Sequence, residues 1–156
     1  MRNFNKAVLG VAVAGSFLFA GSASASDTAT LAVSATVQGV CHFTTANFSM
    51  SFADINPHDT GAKQKPTAIS YKCTNGTASS SITFDGGATG TSVNLANGSD
   101  NLPVSLAWTT PGTNGSGFGS GSTPVSFDVT GTIAEADYAN AKAGAYTKNV
   151  TIAIAP

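Results

Sequence analysis

Charge is scarce in this chain: only 10% of its 156 residues are Asp, Glu, Lys or Arg. Globular domains usually carry about a quarter, so here Ser, Thr, Asn and Gly must supply the solubility. Arginine is scarcer still, with Arg2 the single one; beyond residue 25 five lysines face eight acids, a net charge of −3. Nucleic-acid binding is thereby excluded, because phosphate recognition needs a dense basic footprint and forked contacts need arginine. Histidine is limited to His42 and His58, tryptophan to Trp108, and cysteine to Cys41 and Cys73. No G-x-S-x-G elbow or P-loop ending is present, and after the first 25 residues no run of 18 apolar residues exists to span a bilayer.

What the sequence does have begins with a three-zone leader. Arg2 and Lys6 precede an apolar stretch from Ala7 to Ala20, which exits through Ala23-Ser24-Ala25. This pattern predicts a secretory signal peptide over residues 1–25, cut before Ser26, and routes the mature chain to an export compartment. There an even pair of cysteines is expected to bridge, giving a Cys41–Cys73 disulfide. Closing a loop of that length stabilises by roughly 3.7 kcal/mol in the chain-entropy model.

Beyond the leader the hydrophobic period is two almost throughout. Apolar residues alternate at Phe48, Met50, Phe52; Ile69, Tyr71, Cys73; Ile82, Phe84; Val93, Leu95; Val104, Leu106, Trp108; Val125, Phe127, Val129; and Val150, Ile152, Ile154. Turn signals separate them, among them Asn56-Pro57, Asn75-Gly76, Gly86-Gly87, Asn97-Gly98 and Thr123-Pro124. Short alternating strands at this spacing predict an all-β fold, an antiparallel β-sandwich with one wet face per sheet. Residues 134–143, with Glu135 and Asp137 early and Gly144 after, fit a short helix or a long inter-strand corner. The Gly112–Ser122 run reads as a loose surface loop.

Catalytic and metal chemistry find few candidates. His42, next to Cys41, faces away from the core if the cysteine faces in. Asp54, His58 and Asp59 share a loop with no regular element to fix a metal geometry. Asp85, Asp100 and Asp137 stand in turn-like contexts, so no paired-carboxylate site is nominated, and neither is any cofactor. Trp108 and Phe118 could present a sugar platform, but Trp108 continues the inward face of Val104 and Leu106.

One segment stands apart. From Ala29 to Val37 every odd position is apolar (Ala29, Leu31, Val33, Ala35, Val37), in a place where a mature terminus is ordinarily ragged. It is either the first strand of its own sandwich or a strand added to another copy.

Four landmarks bear on that choice: the alternating segment running into Cys41, FSMSFADINP (Phe48 to Pro57), ISYKCTNG (Ile69 to Gly76) and the closing AGAYTKNVTIAIAP (Ala143 to Pro156). In order and spacing they resemble the spore coat protein U domain family, which includes the pilins of archaic chaperone–usher fimbriae. The resemblance implies an immunoglobulin-like sandwich over residues 39–156 that lacks its last strand. In such a subunit the missing strand comes first from a periplasmic chaperone. During export through an outer-membrane usher it is then supplied by the leading segment of the next copy, here residues 26–38. Leu31, Val33, Ala35 and Val37 would be the donor residues, and Val150, Ile152 and Ile154 the acceptor edge. The implied product is a non-enzymatic homopolymer, a secreted surface fimbria; a self-complemented coat protein or a carbohydrate-binding module is the alternative.

Overall fold

The computed structural model describes residues 27–156 apart from Thr89, so the leader expected over residues 1–25 lies outside the described residues. These residues fall into two units, 27–35 and Thr36–Pro156. The first contains no strand, and all of its residues are exposed.

The second unit is built from seven strands and one helical turn: β1 (Cys41–Phe43), β2 (Lys63–Cys73), β3 (Ser81–Phe84), β4 (Gly90–Asn97), β5 (Asp100–Trp108), β6 (Val125–Ile133), α1 (Glu135–Tyr138) and β7 (Ile152–Ala155). Five strands make an antiparallel sheet in the order β1-β2-β6-β5-β4, while β3 and β7 pair as a separate two-stranded sheet. Both sheets feed one core, in which Ile82 and Phe84 of β3 join Tyr71, Val104, Val129 and Ile133. The all-β sandwich expected from period two is therefore the fold.

Alternation is strictest in β6, at the centre of the large sheet, where Val125, Phe127, Val129, Gly131 and Ile133 all point inward and are buried. Trp108 is buried as well, its Nε1 donating to the Ile82 carbonyl at 3.2 Å across the sheets. Cys41 and Cys73 stand directly opposite each other in the β1–β2 ladder and form the disulfide.

Four local expectations need correction or narrowing. Phe48–Phe52 is not a strand: its side chains alternate inward, but no neighbouring backbone pairs with it. The closing strand starts at Ile152, which leaves Val150 outside it. Of the short helix or inter-strand corner expected over residues 134–143, a single helical turn forms at Glu135–Tyr138, and beyond it Ala141 packs on the core without helical structure. The Gly112–Ser122 run is pinned in part rather than loose. The Gly115 amide donates to the Thr77 carbonyl at 2.8 Å, and its Cα lies so close to the Cys73 backbone that a side chain would collide with it.

Candidate functional site

A groove of about 1590 Å³ opens into the second unit and reaches the core. Its floor is apolar, formed by Ile69, Val104, Leu106, Val129 and Ile133 of the large sheet with Phe84 of β3. Small-molecule sites usually enclose roughly 300–1,000 Å³, so the size suits an extended chain better than a metabolite.

One wall is the segment from Phe43 to Ile55. Phe43 and Phe48 meet edge to face at 5.8 Å, and Phe48, Met50, Phe52 and Ile55 pack against the core from the side. Met50 and Phe52 reach over Gly131: a methyl group added there would collide with the Met50 sulfur and stand 3.0 Å from the Phe52 ring. The glycine in the central strand is thus a seat, and side chains rather than a ladder hold this wall. Among the described residues, no backbone–backbone hydrogen bond involves residues 45–55.

The opposite wall is formed by residues 146–152, which lead into β7. β7 pairs with β3 along one edge, and among the described residues no strand pairs with its other edge. Upstream, Thr147 exchanges two backbone bonds with Ala96 at the rim of β4. At the β3 end the wall is clamped by Asp85. In the tight Asp85-Gly86 turn both residues have positive φ, 45° and 84°, as a type I′ hairpin turn requires. Asp85 accepts the Thr151 amide on Oδ1 at 2.8 Å, donates its own amide to the Thr151 carbonyl at 2.9 Å, and meets Lys148 Nζ at 3.3 Å. The Thr151 amide, followed by Lys148, holds the Asp85 carboxyl below its ordinary value of 3.8. Lys142 pairs with Asp100 at 2.9 Å, which raises its pKa above the usual lysine value.

A latch closes the far end. The hydroxyl of buried Tyr138 reaches the carbonyls of Gly61 at 2.7 Å and Asp59 at 2.9 Å, and Glu135 accepts the Gly61 amide. Asp59 also takes Lys63 Nζ at 2.8 Å, and that bond lowers the carboxyl below its usual value. The metal candidate loop is thus organised around a lysine. Among the described residues no group of three His, Cys, Asp or Glu could hold a metal ion. His42 is exposed, edge-on to Phe118 at 5.9 Å, and the His58 amide is bonded by the Asn56 side chain.

The residues singled out as an acceptor edge divide. Val150 and Ile152 line the groove, whereas Ile154 pairs with Ile82 and packs on the core outside it. Of the named donor residues, Leu31, Val33 and Val37 are 85%, 83% and 82% exposed, and Ala35 is exposed too. The Phe43–Ile55 wall was not legible as a groove wall. Its one signal, alternation at 48, 50 and 52, reads equally well as an ordinary paired strand.

Against this geometry, the family model described as Spore Coat Protein U domain matches residues 27–153. The chain belongs to that family. The match covers both the exposed leading segment and nearly all of the grooved sandwich. The Spore Coat Protein U domain is found in subunits of chaperone–usher pili and coats, a structural family, and a surface fimbrial or coat role follows for its members. No curated protein and no solved structure matches the chain. Among the described residues no helix is long and apolar enough to cross a membrane.

Proposed function

We propose that the chain is a structural subunit of a secreted surface fimbria that polymerises by donor-strand exchange, the groove of one copy taking up the leading segment of the next. The observation that carries this reading is a groove with an apolar floor between residues 45–55, for which no backbone–backbone bond is found among the described residues, and residues 146–152 leading into β7, whose outer edge no described strand pairs. A strand entering between them would pair with both, and β-strand addition gains main-chain hydrogen bonds and side-chain pockets together. Leu31, Val33, Ala35 and Val37 alternate as such a strand must. Each large donor side chain, once buried, would contribute about 1.5–3 kcal/mol before ordering costs. A subunit with an open apolar groove needs cover before assembly, which is the task of a periplasmic chaperone, with an outer-membrane usher as the exit.

In this reading the chain carries no catalytic step and no cofactor, and copies of itself are its main partner. The carbohydrate-binding alternative loses its best platform, since Trp108 is buried and its N–H is committed to Ile82.

The test is deletion of residues 26–37 from the secreted chain. Loss of SDS-resistant, heat-sensitive ladders, with recovery of binding when a peptide of residues 27–40 is added to the truncated subunit, is the expected result. Ladders that persist without the segment would overturn the proposal.

A further inference from the structure

Sulfur is scarce in this chain, and among the described residues it is either closed off in a disulfide or placed on the groove wall. The two cysteines are bonded to each other and no free thiol remains among the described residues. Of the two methionines, Met1 lies in the leader and Met50 sits in the unpaired wall. Met50 is partly exposed and lines the groove, so small solutes reach it. Its sulfur rests on Gly131, whose backbone is in register with Lys65 of β2 on one side and Leu106 of β5 on the other. The contact has no slack, since even a Cβ at residue 131 would collide with the sulfur.

From these facts we infer that Met50 is an oxidation site for peroxides, and that its sulfoxide unseats the 45–55 wall from β6. In the step, a sulfur lone pair attacks one peroxide oxygen and the O–O bond breaks. The sulfur gains that oxygen and is oxidised by two electrons, and hydrogen peroxide is reduced to water. The product is larger, polar and chiral in place of a pliable apolar group. Its new oxygen enters a contact made of Gly131 and the Phe52 ring, with the nearby backbone donors committed to the ladder. Among the described residues no backbone–backbone hydrogen bond of residues 45–55 resists the displacement. A wall held by a few side chains alone therefore has one oxidisable atom at its seat on Gly131, whether or not a donor strand enters the groove.

The test treats the folded, disulfide-intact chain with hydrogen peroxide. It follows gain of one oxygen on the Met50 peptide by mass spectrometry, the melting midpoint, and hydrogen exchange over residues 45–55. Expected are full oxidation under conditions that leave the disulfide intact, a midpoint lower by about 5–10 °C, and faster exchange confined to the wall. Methionine sulfoxide reductases for both epimers, with thioredoxin as reductant, should restore the untreated values without any mutation. Met50→Leu should melt close to the parent and ignore peroxide, and Met50→Gln should sit low from the start. A fully oxidised chain melting within about 1 °C of the untreated one, or a folded chain in which Met50 resists peroxide that oxidises free methionine, overturns the inference.

Discussion

Gly131→Ala is the substitution that best probes how the groove wall is held. On an exposed strand, replacing glycine by alanine stabilises, since glycine in a strand interior costs about 0.5–1 kcal/mol. Here the added methyl is aimed into the Met50 sulfur and lies 3.0 Å from the Phe52 ring. Overpacking of this kind costs about 1–3 kcal/mol, so the steric term wins and the single variant is expected to lose about 1–2 kcal/mol. Met50→Ala alone also destabilises, by less than the 2–5 kcal/mol of a fully buried methionine because the side chain is only partly buried. In the double variant the alanine methyl occupies the space the thioether vacated. The two losses should then cancel in part, with a coupling of about 1–2 kcal/mol, within the range seen for residues in contact. Urea unfolding of the disulfide-intact chain measures it, the Gly131→Ala midpoint falling by about 0.5–1.5 M at unchanged slope. Additivity within about 0.5 kcal/mol would mean that Met50 does not rest on Gly131 and that something else holds the wall.

Two further outcomes follow from the clamp and the core. Because the Asp85 pKa is lowered in the folded chain, its stabilisation is present above the unfolded value near 3.8 and is lost as pH falls through the lower folded value. Hydrogen exchange at the Thr151 amide should accelerate below about pH 4 before global unfolding, and Asp85→Asn, which tolerates positive φ, should show that looseness already at pH 7; an amide whose protection is flat from pH 7 to pH 3 would contradict the clamp. Trp108→Phe strands the buried Ile82 carbonyl and should cost about 1–3 kcal/mol in chemical denaturation, whereas a loss below about 0.5 kcal/mol would place the indole N–H in water instead.

The sequence by itself determined the class of fold and the surface character. Period-two alternation at Val104, Leu106, Trp108 and at Val125, Phe127, Val129 can be satisfied only by strands with one face in a core. The single arginine, Arg2, argues against phosphate recognition, and the four landmarks ending in AGAYTKNVTIAIAP pointed to the family. Tertiary structure alone decided which alternating segments acquire partners. Phe48 to Phe52 and Ile69 to Cys73 look alike in pattern, yet the second lies in ladders against β6 and β1 while the first rests on Gly131 by its side chains. Pairing is a property of two backbones at the right distance, and a one-dimensional pattern records only which face of one of them is apolar. For the same reason the groove and its walls could not be drawn from the sequence. Its seat brings Met50 and Phe52 to Gly131, 81 and 79 positions on, its Asp85 clamp reaches Thr151 across 66 positions and its Thr147–Ala96 link spans 51, and only folding sets those distances.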